Sequence, residues 1–287
     1  MTVAVVASVV AVASAGVAVA LVQGPGSSER RATPLADQAT ATTTLAPTTT
    51  TTLPPFPTVP PGTVVTNGPR DRRLVALTFD SNLTDGMIQE LDQHRVASFA
   101  NAAVIDELDQ LQVPATLFLA GKWIERYPDL TRRLAGDPLF ELGSHSYQHR
   151  AYHLPCYGLG GLPVAQMAAD VDHSEQLLRQ FTNRPTPYFR FPGGCYDAAA
   201  LQATGGTGIT VIQYDLASGD AFGTSVRAIV NNVVNNAQNG SIVVMHITGG
   251  NTAPLTAFAL PAVVNGLRQK GFTLVRVSDL LGPPPPP

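Results

Sequence analysis

Two histidines four residues apart, in Leu142-Gly-Ser-His145-Ser-Tyr-Gln-His149, are the residues best suited to chemistry in this 287-residue chain. Neutral imidazole nitrogens held at a fixed separation can meet one divalent ion. The pair follows Leu139–Leu142, which reads as the end of a buried strand. The chain holds six histidines, so the spacing alone is a weak signal. It gains weight from other polar residues that close apolar, β-branched runs. Leu77-Thr-Phe-Asp80 lies upstream, and Arg190-Phe-Pro-Gly193-Gly and Val243-Val-Met-His246 lie downstream. Folds of the α/β type gather their active-site side chains at such strand ends. Each residue also has a bland reading. Asp80 could be a helix cap, Arg190 a surface ion-pair residue, and His246 a buried ring bonded to backbone. Their joint occurrence in this order argues for a site.

Those residues need elements to position them. Seven short β-rich runs are visible: Leu74–Phe79, Ala115–Ala120, Leu139–Leu142, Pro187–Phe191, Ile209–Tyr214, Ser241–Ile247 and Phe272–Val277. Apolar residues at three- and four-residue steps predict helices over Ala100–Leu111, Trp123–Leu134, Val164–Phe181, Ser225–Asn236 and Leu255–Gln269. Asp197–Ala203 is a shorter, weaker helix, and Asp85–Asn101 is an unusually polar insertion. Alternation of strand and helix argues for a parallel sheet, either a barrel or a doubly wound sheet, which periodicity cannot separate.

The composition narrows the function class. Hydrophobic residues make up 44% of the chain and charged residues 14%, with a formal net charge of -3. No Lys/Arg field exists to neutralise phosphates, which excludes a nucleic-acid platform. Residues 1–22 are apolar or small and uncharged, with a small-x-small site at Ala18-Val-Ala20. They read as an export signal or membrane anchor, although no Lys or Arg precedes them. Residues 23–69 are Thr- and Pro-rich and read as a disordered linker, a stalk suited to membrane or cell-wall association. A globular domain is expected over 70–282, and 283–287 is a Pro tail. In an exported chain the two cysteines, Cys156 and Cys195, favour a disulfide. It would close a loop of about forty residues, a constraint of roughly 3–4 kcal/mol.

The order Thr-Phe-Asp80, His145-Ser-x-x-His149, Arg190-x-Pro-Gly193, Asp220 and apolar-apolar-x-His246 resembles the polysaccharide deacetylase family, the NodB homology domain of carbohydrate esterase family 4. The resemblance spans about Leu74 to Leu281. It implies an α/β fold, a distorted seven-stranded (β/α) barrel, and metal-dependent removal of N- or O-acetyl groups from sugar polymers. The cofactor it implies is a divalent ion, zinc foremost, on His145 and His149. Asp80 then corresponds to the catalytic base, Arg190 to the arginine that orients it, and the Gly193 amide to the oxyanion donor. Asp220 corresponds to the carboxylate that tunes the acid, and His246 to the acid. The partner implied is an N-acetylated polysaccharide such as peptidoglycan or a chitin-like chain.

Two departures stand out. The family pattern Thr-Phe-Asp-Asp-Gly here reads Thr78-Phe79-Asp80-Ser81-Asn82, so the carboxylate that supplies the third metal ligand is absent. The Trp after the fourth motif's Asp is replaced by Ala221. Asp80 itself, Asp85, or the Asn82 side-chain oxygen or a water could complete the metal shell. His153 reads as a loop histidine, His94 and His173 as incidental, and Asp215 as a reserve for the role of Asp220. The leading function is an exported deacetylase of a cell-wall or other glycan. Its rivals are a catalytically impaired glycan-binding pseudoenzyme and a hydrolase of a non-sugar amide.

Overall fold

A computed structural model describes residues 55–223 and 225–283. The segment at 1–22, the first part of the linker (23–54) and residues 284–287 lie outside the described residues. Nine strands form one sheet among the described residues. They are β1 (Val64–Val65), β2 (Leu74–Ser81), β3 (Ala115–Leu119), β4 (Phe140–Ser144), β5 (Tyr188–Phe189), β6 (Thr210–Ile212), β7 (Leu216–Ala217), β8 (Ser241–His246) and β9 (Thr273–Val275). The order is β1-β6-β5-β4-β3-β2-β8-β7, with β9 joining the start of β2. Every strand pairing is parallel. The helices are α1 (Asp85–Asp92), α2 (Ala102–Gln110), α3 (Gly121–Arg126), α4 (Pro128–Gly136), α5 (Val164–Leu178), α6 (Ala198–Thr204), α7 (Val226–Asn236), α8 (Thr256–Gln269) and α9 (Val277–Leu281).

The sheet curls until its ends nearly meet. Strands β6 and β7 lie toward opposite ends of the order, yet only Gln213, Tyr214 and Asp215 separate them in the chain. Three residues span little more than about 14 Å at full stretch, so the seam is narrow. The stretch before β2 helps close it: Asn67 makes an antiparallel bridge to Ser241, and Gly68 N–H donates to Gly240 O at 2.8 Å. All seven expected strand runs are present, and the architecture is the expected distorted barrel, left open at this seam. Part of the expected linker belongs to the domain, because Val64–Val65 pair with β6 and Phe56 and Val59 pack on buried residues.

Period-two alternation sorts the strand residues between two cores. Val75, Leu77 and Phe79 of β2, Leu117 and Leu119 of β3, and Val243 and Met245 of β8 join the helix-facing cluster. Ala76, Phe118, Tyr188, Ile212 and Ile242 pack in the barrel interior with Val277 and Leu280 of α9, which plugs the bottom. Continuing the inward set up each strand leads to Asp80, His145, Arg190 and His246 at the carboxyl ends. The site is therefore the top layer of the barrel interior. The expected helix over Trp123–Leu134 is two helices, because Pro128 at the start of α4 cannot continue α3. The polar insertion holds α1, capped by Thr84 accepting from Met87 N–H.

Gly143 sits inside β4. A Cβ there would fall 2.9 Å from Phe118 Cδ1 and 2.9 Å from the Tyr188 carbonyl oxygen. Phe118 in turn lies 4.1 Å from the Arg190 guanidinium. Gly143→Ala should therefore destabilise the domain by about 1–3 kcal/mol through overpacking. The expected result in chemical denaturation is a lower midpoint at unchanged slope; a wild-type midpoint would contradict this packing.

Candidate active site

The Arg190 side chain is fully buried and divides its donors between β2 and the end of β6. Nη1 donates to Asp80 Oδ1 and Thr78 Oγ1, each at 2.8 Å; Nε donates to Ile212 O and Nη2 to Gln213 O, both at 3.2 Å. A guanidinium with partners on this scale can stay charged in a barrel core. Asp80, at the end of β2, thereby has one oxygen fixed. Its other oxygen stands 3.6 Å from His145 Nε2.

His145 follows β4 directly. Its Nδ1 donates to the Arg190 carbonyl at 2.9 Å, which leaves the Nε2 lone pair facing Asp80 and the cavity. Burial pushes the His145 ring below its usual pKa despite the opposing charge of Asp80. Burial holds His149 further down still, reinforced by His145 and His246. Both rings are therefore neutral, the form that binds metals. Their centroids are 5.0 Å apart. The loop that presents them is contorted, with Ser146 at φ +67° and His149 at φ +53°. Ser146 Oγ accepts from His149 N–H at 3.0 Å, and Asp170 Oδ2 accepts from Tyr147 N–H at 2.9 Å.

On the neighbouring strand, His246 is the register partner of Asp80. Its Nδ1 donates to Asp220 Oδ1 at 2.8 Å, and its backbone N–H donates to Asp220 Oδ2 at 2.8 Å. Ser218 and Thr256 hydroxyls also donate to Asp220, at 2.9 and 2.7 Å. Burial alone would lower the His246 pKa, but Asp220 outweighs it and raises the ring above its usual value. Burial likewise works to raise the Asp220 carboxyl, and His246 with the hydroxyls holds it below the usual range.

Asp80, His145, His149, Gly193, Asp220 and His246 line one cavity of about 430 Å³. Arg190 lies beneath its floor. Other candidates fall elsewhere. Asp215 accepts from Arg70, Ser241 and the Ile242 N–H at the opposite end of β8, so it is structural and no reserve for Asp220. His153 pairs with Asp197 on the surface, and His173 stacks on Tyr147. Cys156 and Cys195 are bridged, with Cα atoms 6.0 Å apart. Two supporting residues, Thr256 and Asp170, do not stand out in the sequence. Ordinary polar residues on helices carry no signal until the fold sets them beside the site.

Among the described residues, no group of three His, Cys, Asp or Glu could hold a metal ion. The third donor the cavity offers is an amide. Asn82 Oδ1 and His149 Nδ1 are both buried without a hydrogen-bond partner, and both residues line the cavity with His145. Buried polar atoms without partners mark a ligand position. Two neutral imidazoles and an amide oxygen suit a divalent ion of the zinc class. Asp85 is excluded from that role, because its side chain is 74% exposed and paired with Lys122. Ser81 is turned away, its Oγ accepting from Ala120 N–H at 3.2 Å.

A sequence profile described as polysaccharide deacetylase matches residues 67–212, just over half of the chain. The chain belongs to the polysaccharide deacetylase family. It is similar to a peptidoglycan-N-acetylglucosamine deacetylase of Bacillus cereus, with 26% identity over 226 residues, covering 79% of this chain and 74% of that one. It is also similar to a chitooligosaccharide deacetylase of a Bradyrhizobium strain, at 24% identity, covering 61% of this chain and 82% of that one. Among solved structures, a peptidoglycan N-acetylglucosamine deacetylase superposes with a TM-score of 0.63 at 24% identity, covering 76% and 92% of the two chains. A family pseudoenzyme from Bacillus anthracis superposes with a TM-score of 0.62 at 20% identity, covering 78% and 70%. These likenesses show the fold; membership in a family of glycan deacetylases makes this chain a hydrolase of that class.

Gly193 is the most constrained point of the polysaccharide deacetylase site. Its φ is +62°, and a Cβ there would fall 2.7 Å from Cys156 Sγ and 3.2 Å from Tyr157 Cδ2. Gly193→Ala should displace the turn and cut acetate release by about a hundredfold, the scale of a 1 Å misplacement. Far-UV circular dichroism should stay unchanged. Turnover near wild type would show that the turn has slack.

Proposed function

We propose that this chain is an exported, metal-dependent deacetylase that removes N-acetyl groups from a cell-wall or other N-acetylated glycan. One observation carries the reading. Asp80, held by Arg190, and His246, held by Asp220, are register partners on adjacent strands with two neutral histidines beside them. The arrangement sets a proton acceptor and a proton donor across one small cavity. The relatives named for peptidoglycan and chitooligosaccharide deacetylation support the substrate class.

His145, His149 and Asn82 would hold the divalent ion, which when bound polarises the acetyl carbonyl and acidifies water. Asp80 takes the proton from the attacking water, aligned for it by the charge-assisted bond from Arg190. The Gly193 N–H faces the oxygen on which negative charge develops; Gly194 and Cys195 N–H are already spent within the turn. Protonated His246 gives its proton to the departing sugar nitrogen as the carbon–nitrogen bond breaks, yielding acetate and a free amine. Thr256 and Ser218 keep Asp220 in place behind it. Residues 1–22 carry the export part of the proposal. The Cys156–Cys195 bridge supports it, because disulfides persist in oxidising compartments.

The deciding assay is acetate release from N-acetylated oligosaccharide and peptidoglycan before and after chelation. Activity should vanish in chelator and return with zinc, and Asn82→Ala should need a higher zinc concentration for the same recovery. Glycan binding with no acetate release at any metal concentration would instead support the pseudoenzyme reading, which the loss of a carboxylate at Ser81 favours. A second outcome follows from protonation. Asp220, Asp80 and Arg190 are the charged groups that act on His246, and Asp220 is the one that chiefly raises it. The acid form of His246 persists below its raised pKa and is lost as pH rises through it. The alkaline limb of kcat should therefore move to lower pH in Asp220→Asn. An unmoved limb would remove His246 from the acid role.

A further inference from the structure

We propose that Tyr157 and Phe222 form a stacking subsite for a neutral pyranose ring, the sugar next to the one that is deacetylated. The proposal rests on the glycan reading of the substrate and adds the residues that recognise it. Five large hydrophobic side chains are exposed among the described residues, and Tyr157 and Phe222 are two of them, each 70% exposed. They are not scattered. Their ring centroids lie 5.3 Å apart with the planes inclined at 37°, and both rings line the active-site cavity. They arrive from separate loops. Tyr157 follows the bridged Cys156, and Phe222 stands two residues after Asp220.

The local backbone holds Tyr157 where it is. Its φ is +41°, an unusual value for an aromatic residue, which persists only where the surroundings fix it. The disulfide anchors the preceding residue, and the ring edge lies over Gly193, which has no side chain to displace it. Two exposed aromatic faces tethered to the rim of a reaction cavity mark a binding site rather than incidental surface. The chemistry of the occupant follows from the lining. Among the described residues no Lys or Arg lines this cavity, while Asp80 and Asp220 do, which disfavours an anionic ligand. An aromatic face is electron-rich, and it meets the C–H-bearing face of a sugar ring favourably. Placed beside Asp220 and Gly193, the pair would grip the ring adjacent to the reacting acetamide and hold that group in register with the cavity.

The test is calorimetric binding of the N-acetylglucosamine tetramer to the full chain with chelator present, so that turnover does not intervene. Tyr157→Leu and Phe222→Leu should each weaken binding about tenfold, equivalent to ~1.4 kcal/mol. Tyr157→Phe and Phe222→Trp keep the rings and should bind like the wild type. Thermal unfolding of the leucine variants should match the wild type, which separates lost stacking from lost structure. Unchanged affinity in both leucine variants, or no binding of the tetramer by the wild type, would overturn the subsite. Ring-dependent binding in a protein that releases no acetate would uphold the subsite and overturn the deacetylase reading instead.

Discussion

A single guanidinium in the barrel interior holds this structure and its site together. Arg190 reaches Thr78 and Asp80 on β2 and the carbonyls of Ile212 and Gln213 at the open seam, and its own carbonyl receives the His145 ring. Phe118 lies against its face at 4.1 Å. Removing such a charge from water costs several kcal/mol, and the cost is offset only while every donor has a partner. The arrangement therefore works in both directions. Arg190 fixes the carboxylate that would take a proton and the imidazole that would bind a metal, and those groups in turn make its burial tolerable.

The seam explains why the arginine stands where it does. Beyond β6 the sheet ends in β1, only two residues long, and among the described residues no ladder joins β1 to β7. The Ile212 and Gln213 carbonyls lie where β6 ends beside this edge, and buried carbonyls need donors. Arg190 supplies one to each. The barrel is thus closed at its weakest edge by a residue that also belongs to the site, and distortion and chemistry share one cause.

Much of this was legible in the sequence. The apolar, β-rich runs Leu74–Phe79, Ala115–Ala120 and Ser241–Ile247 predict strands of a parallel sheet, and they place Asp80 and His246 at or just past strand ends, where active-site residues gather. What escaped had physical reasons. Strands β1 and β7 are two residues each, too short to show a period. Helix α1 lies in a polar stretch and depends on a threonine cap more than on an apolar face. The fate of the missing metal carboxylate could not be read, because it depends on where neighbouring side chains point. Ser81 faces the Ala120 amide while Asn82 reaches the cavity. Tyr157 and Phe222 were equally invisible, since sixty-odd residues of chain separate rings that meet only once the loops are folded.

The mutual dependence of Asp80 and Arg190 is the centre of this account, and a double-mutant cycle measures it most directly. Unfolding free energy and acetate release would be determined for Asp80→Asn, Arg190→Met and the double variant. Arg190→Met alone should destabilise the domain by roughly 3–5 kcal/mol, because it leaves a buried charge without its partner. The double variant should be more stable than the sum of the two losses by about 1–3 kcal/mol, while acetate release stays abolished. Additive stability losses, or an Arg190→Met enzyme that retains full turnover, would contradict the account.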